Sequence, residues 1–259
     1  AVPERPLADI QTIKERGVLR VGFRPSYVPF SYYNNQADLV GFDIAMMESL
    51  ASDLNVNIEF IAYDNTNVQQ GLDKGVFDVA ISAIAMNIDN MQRLSFTDAV
   101  LKLTPALAIA DHRVDEVNSL EKIRDMQSLS VAYVEHQGDV EKAKAQFPNV
   151  EFFAIDSYKQ FYKDKTAKYD ALLISAQAGA AWSLFFPKYD VAIFDRKRSY
   201  PAAYAVAWEN DALLRFINNW LALEKMNGQQ DKRYQYWILG QGTQNKKPRW
   251  SIRENVLQW

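Results

Sequence analysis

Arg24, Tyr27 and Phe30 follow an apolar segment, Val18–Phe23, and are the residues of this chain best placed for chemistry with a small ligand. A strand that ends in a charged, aromatic-lined loop is how α/β folds build ligand pockets at strand C-termini. A guanidinium there would repel basic ligands and attract a carboxylate, phosphate or sulfonate. The alternative is that Arg24 points outward or pairs with a local acid such as Asp43. Tyr27 and Phe30 would wall the pocket or simply pack beneath the loop.

Other chemistries find little material. The chain has no cysteine, which excludes disulfides, thiolate metal sites and a cysteine nucleophile. Its two histidines, His112 and His136, lack HExxH or paired spacing, which argues against a zinc enzyme. Glu135 beside His136 is the nearest thing to an acid–base pair, but neighbours on a strand face opposite sides. Net charge is −3 with no long basic block, so nucleic-acid binding through a basic face is disfavoured. Arg196-Lys197-Arg198 reads as a solvated loop. The chain opens AVPERPLADI, without an apolar stretch of the signal-peptide kind. That opening suits a mature N-terminus after cleavage or the start of an excised domain. The longest uncharged run, Ala171–Pro187, falls short of the ~20 residues of a membrane span and reads as a buried strand followed by a buried helix.

The elements that must position these residues alternate. Strands are expected at Val18–Phe23, Asn57–Ala62, Asp78–Ala83 and Thr104–Ala110, with helices at Ile44–Leu54 and Asn67–Lys74. A second series follows: strands Leu129–Val134, Glu151–Ile155, Asp170–Ile174 and Tyr189–Phe194, and helices Asp139–Phe147, Tyr158–Lys163 and Ala176–Phe186. Ser119 has the look of a helix N-cap. An extended segment, Ala202–Ala207, precedes two amphipathic helices, Asp211–Met226 and Gln230–Leu239, separated by Gly228. Alternation predicts an α/β fold with mixed, mainly parallel sheets.

Five segments in order, GVLRVGFRPSYVPFSYY, LVGFDIAMMESLA, LDKGVFDVAISAIAMNIDNMQRLSF, SLEKIRDMQSLSVAYVEHQG and KYDALLIS, resemble the family 3 extracellular (periplasmic) solute-binding proteins, which mostly capture amino acids. The resemblance runs from Leu19 to about Leu239. It implies a type II periplasmic binding protein-like fold of two α/β lobes joined by a two-segment hinge. Residues 1–110 and 201–259 would form lobe one and residues 111–200 an inserted lobe two, with hinge segments near Ala108–Asp111 and Asp195–Ala202. It implies a binding module, not an enzyme, with no cofactor. The partners would be a small-molecule ligand and a membrane transporter or transporter domain, and a free-standing chain would be a monomer. The place would be the periplasm or another extracytoplasmic space, with or without a tether through a fused or partner protein.

Carried over residue by residue, the family's amino-acid clamp is altered here. The arginine that grips the ligand carboxylate falls on Asn90, six residues before Phe96, and its Ser/Thr assistant on Ala85. The acid for the ammonium falls on Ser175 and the aromatic platform on Asn65, while Arg24 stands where many relatives have Asp. A carboxylate facing Asn90 would lose a charge-assisted bidentate pair. Arg93 lies three residues on, and helical spacing would turn it to another face. Ser82, Asn87 and Tyr204 would border the pocket in lobe one. His136, Gln137 and Gly138 would face it from a helix start in lobe two, as would Gln177. The implied function is capture of a small anionic solute, and Arg24→Ala should weaken binding with thermal stability nearly unchanged. The tail KKPRWSIRENVLQW and the segment IADHRVDEV look like solute-binding domains fused to cation:dicarboxylate symporters. A sensory ectodomain and a dehydratase-like enzyme are the alternatives on the same fold.

Overall fold

The computed structural model describes residues 7–64, 66–135 and 140–240. Helix α1 (Ile10–Arg16), which the alternation above does not include, is capped by Asp9, whose carboxylate accepts the Thr12 N–H, and ends at Gly17. Strand β1 (Val18–Phe23) follows, then a small antiparallel sheet of β2 (Ser26–Tyr27), β3 (Ser31–Tyr33) and β4 (Leu39–Val40). Gly41 turns the chain into α2 (Phe42–Leu54) at φ +135°, where a Cβ would run into the Phe30 carbonyl. Next come β5 (Asn57–Ala62), α3 (Val68–Asp73), β6 (Val79–Ala85), α4 (Ile88–Met91), β7 (Ser95–Phe96) and β8 (Leu101–Leu103).

The second series comprises β9 (Pro105–Ala110), a 3-10 helix over Asp111–Glu116, α5 (Leu120–Asp125), β10 (Leu129–Val134), α6 (Val140–Gln146), β11 (Val150–Ile155), α7 (Tyr158–Lys163), β12 (Ala171–Ser175), α8 (Ala176–Phe185) and β13 (Tyr189–Ala192). Strand β14 (Tyr200–Val206), α9 (Asp211–Met226) and α10 (Gln229–Trp237) close the described chain.

Among the described residues, two compact units form: residues 7–101 with 201–237, and residues 102–200 with 238–240. The boundary near 110 needs correction. Strand β9 belongs to the second unit, because Ile109 to Pro105 pair with β12 and Ala110 to Leu107 pair with β13. The chain passes from the first unit to the second between Leu101 and Lys102, and returns between Tyr200 and Pro201.

Each unit is a mixed sheet on one plan. The first runs β5-β1-β6-β14-β7, parallel across its first three strands and antiparallel at β14. The second runs β11-β10-β12-β9-β13, again parallel in its first three and antiparallel beyond. The apolar strands are buried on both faces, as sheets covered by helices require. Tyr63, Leu72, Phe77, Ala80 and Ile84 gather in the first core. Leu107, Ile109, Val131, Phe147, Leu173 and Phe194 gather in the second. Gly179 lets α8 approach β13, since a Cβ there would lie 2.7 Å from the Val191 side chain.

Both units also fasten the first strand of their parallel triplet, β1 or β10, with an aspartate. Asp78, just before β6, accepts the Arg20 N–H at 2.8 Å and pairs with Arg16. Asp170, just before β12, accepts the Ser130 N–H at 3.0 Å and pairs with Arg113.

Candidate functional site

In the first unit, the C-terminal ends of β1 and β6 meet in a polar cluster. Arg24 is the first residue after β1 and is 9% exposed. Its backbone N–H donates to Ser82 Oγ at 2.9 Å, and its guanidinium donates to the Ser82 carbonyl. The guanidinium carbon also lies 4.2 Å from the centre of the Tyr27 ring, a cation–π contact. Ser31 Oγ donates to the Arg24 carbonyl at 2.7 Å and lies 2.5 Å from Ser82 Oγ. Arg24, Tyr27 and Ser82 are therefore brought together. Tyr27 and Phe30 are both buried and pack on one another, ring centres 5.2 Å apart. This burial corrects the expected thermal neutrality of Arg24→Ala: the substitution removes a buried hydrogen bond and a ring contact, so stability falls as well.

Beneath Arg24 lies Asp43, on the first turn of α2 and without solvent exposure. Its carboxylate accepts the Tyr204 hydroxyl at 2.9 Å and the N–H groups of Ser82 and Ala83 at 3.1 and 2.9 Å. Burial pushes its pKa up to about 7, against the opposing pull of those hydrogen bonds and of the Arg24 charge. Tyr63 donates to the Ile81 carbonyl from the same core, and burial raises its pKa to about 12. Tyr204 thus supports Asp43 from β14.

Asn87 and Asn90 form a second group beyond β6. Asn87 caps α4, its side chain accepting the Asn90 N–H at 2.8 Å. Asn90 is 1% exposed; its Nδ2 donates to the Ala85 carbonyl at 2.8 Å and its Oδ1 accepts Arg93 Nη2 at 2.9 Å. The expectation that Arg93 turns to another face was mistaken. Arg93 lies in the turn just past α4, where its N–H bonds the Asn90 carbonyl, and the Asn90 carboxamide holds the Arg93 guanidinium directly.

The second unit treats its named residues differently. Ser175 is buried and caps α8, accepting the Ala178 N–H at 3.1 Å. Gln177 Oε1 accepts the Thr104 N–H at 3.1 Å, and Nε2 donates to the Lys102 carbonyl at 3.3 Å. Glu135, at the end of β10, is exposed. Asn65, His136, Gln137 and Gly138 lie outside the described residues, as do Trp250 and Trp259 of the tail. Among the described residues no cluster of His, Asp and Glu is arranged to hold a metal ion, and no helix is long and apolar enough to cross a membrane.

Residues 19–240 match the model of the bacterial extracellular solute-binding proteins, family 3. The chain belongs to this family. A cyclohexadienyl dehydratase of Pseudomonas aeruginosa is 24% identical over 88% of this chain and 85% of its own length. A probable amino-acid ABC transporter-binding protein of Haemophilus influenzae is 22% identical over 83% of this chain and 82% of its own. In fold, this family 3 protein is similar to the crystal structure of the solute receptors for L-cysteine of Neisseria gonorrhoeae, with a TM-score of 0.80 and 22% identity over 93% of this chain and 98% of that one.

Sequence reasoning missed the centre of the cluster. Asp43 appeared only as a local acid for Arg24, and Ser31 and Tyr63 not at all. The one signal available was Asp43 in an otherwise apolar helix start, Gly41-Phe42-Asp43-Ile44-Ala45-Met46. An acid among residues that must be buried needs buried donors.

Proposed function

We propose that this solute-binding protein works outside the cytoplasm, captures a small carboxylate-bearing or amino-acid-like solute by hinge closure, and delivers it to a membrane transporter. The observation that carries this reading is Arg24, a cation fixed at the end of β1 by Ser82, Ser31 and the Tyr27 ring. The ends of β-strands in open α/β sheets are where such folds bind ligands. Arg93, bracketed by Asn90, adds a second guanidinium beyond β6. Guanidinium groups suit carboxylates through charge-assisted, often bidentate, hydrogen bonds. The Haemophilus relative, named for a transporter, supports the delivery step. Asn65, Asn87, Asn90, His136, Gln137, Ser175 and Gln177 complete the proposed contact set. A ligand that binds the closed form better shifts the population toward it by that difference in affinity.

The test is a thermal-shift screen with amino acids, dicarboxylates, keto acids and phosphorylated metabolites. A bound solute raises Tm by mass action. An anionic solute should score, and Arg24→Ala should bind it about 1.5–3 kcal/mol more weakly by calorimetry. A response confined to basic amino acids, or unchanged affinity in Arg24→Ala, overturns the anionic reading.

The Pseudomonas dehydratase favours a second reading, an enzyme on this fold. Glu135 is the exposed acid that reading would use. Turnover of a hydroxylated carboxylic acid with a bell-shaped pH–rate profile, lost in Glu135→Gln, would establish it.

A further inference from the structure

Ser82 and Ala83 have φ of +88° and +48°, a conformation that side-chain-bearing residues rarely adopt, here twice in succession. Such a pair aims successive N–H groups at one point and makes a concavity suited to an anion. The anion in this concavity is the chain's own Asp43, which accepts both N–H groups and the Tyr204 hydroxyl. Non-glycine residues keep such a backbone only where their surroundings hold it. Ser82 in turn grips Arg24 twice, through Oγ and through its carbonyl. The contacts therefore run without a break from carboxylate to turn to guanidinium.

We propose that Asp43 is a positioning residue for Arg24: its carboxylate holds the Ser82–Ala83 turn, and the turn holds the guanidinium where a solute meets it. The link to ligand binding rests on the proposed function; the link between Asp43 and Arg24 does not. The charged and titratable groups around Asp43 are Arg24 after β1, Tyr63 after β5 and Tyr204 on β14, with Arg233 of α10 acting on Tyr204. Protonation replaces an acceptor with an O–H among groups that already donate, so it loosens the turn. Burial raises the Asp43 pKa to about 7, which brings this event into an accessible range.

The test follows the ¹⁵N resonances of the Ser82 and Ala83 amides and of Arg24 Nε in the full chain without ligand, from about pH 5 to about pH 9 across the expected titration. All three should move with one shared midpoint. Tyr204→Phe removes one donor from the carboxylate and should raise that midpoint by about half a unit to one unit. Asp43→Asn should abolish the shared titration. Arg24 resonances that ignore the titration, or a midpoint unmoved in Tyr204→Phe, overturn the positioning role. Because Tyr204→Phe leaves Asp43 in place, a failure of Asp43→Asn to fold does not block the test. Co-titration together with unchanged solute affinity in Arg24→Ala overturns the ligand reading alone.

Discussion

Asp78 and Asp170 occupy the same place in two units built on one strand plan, yet their carboxyls shift in opposite directions. Each precedes the third strand of the parallel triplet, accepts a backbone N–H from the first strand and pairs with an arginine. Asp78 is buried, and desolvation raises its pKa despite the bonds to Arg20 and Arg16. Asp170 is partly exposed; desolvation is still the largest single influence and raises it, but the hydrogen bonds from Arg113 and from the Ser130 N–H and hydroxyl, with the Arg113 charge, together outweigh it and lower it. With the topology the same, solvent access and one additional donor, the Ser130 hydroxyl, set the sign. The contrast extends to what each unit buries. The first unit buries an acid, Asp43, among donors, whereas the second surrounds Tyr162 with Trp182, Phe186 and Tyr189 rings.

The sharpest way to break the comparison is Asp43→Ala. It strands the Ser82 and Ala83 N–H groups and the Tyr204 hydroxyl in a dry site, and should cost about 3–5 kcal/mol in urea unfolding. A loss under about 1 kcal/mol would mean that water takes over as acceptor and the site is not dry.

The matched pair comes next. Asp78→Ala should destabilise by about 2–4 kcal/mol, because Arg16 and the Arg20 N–H lose a buried partner. Asp170→Ala should cost about 1 kcal/mol, since water can replace a partly exposed partner. Equal losses in the two variants would show that burial does not separate them.

The pH dependence of stability sharpens the same point. Asp43 and Asp78 have raised folded pKa values, so their contribution is fully present below the unfolded carboxylate pKa. It is lost as pH rises through the folded values, for Asp43 up to about 7. The slope for one such group is at most about 1.4 kcal/mol per pH unit. Asp170, lowered in the fold, contributes above its unfolded pKa and loses that contribution as pH falls through its folded value. Urea midpoints from acid to neutral pH should therefore decline in the wild type and decline less steeply in Asp43→Asn, where Asp78 remains.

The helix caps give the smallest effect. Ser175→Ala should cost about 1 kcal/mol and Asn87→Ala about 0.5 kcal/mol, by thermal unfolding, because α8 is long and buried while α4 is a single turn. The reverse order would mean that Asn87 carries more than its cap.

Several strand and helix identities were readable from the apolar pattern. Val18–Phe23, Asn57–Ala62, Leu129–Val134, Tyr158–Lys163 and Asp211–Met226 coincide with observed elements to the residue. Others were not: α1, the β2-β3-β4 sheet and α4 are fixed by caps and neighbours more than by periodicity. Strand β9 was visible as a strand, but its sheet was not, since partners on β12 and β13 lie more than sixty residues away in sequence.

Within the cluster, residue type alone determined that Arg24 carries charge, that Ser82 and Ser31 can both donate and accept, and that Gly41 can enter a helix from a positive φ. Local pattern determined that β1 and β6 are strands with little solvent-facing surface, because their residues are almost all apolar, interrupted only by Arg20 in β1 and Ser82 in β6. Only the tertiary structure decided that Asp43 would face Ser82 and Ala83 and not solvent, that Tyr204 would reach it across 161 residues, and that Asn90 would bracket Arg93. The reason is physical: hydrogen bonding acts over a few ångströms in space, and a carboxylate's ionisation depends on what folding leaves around it.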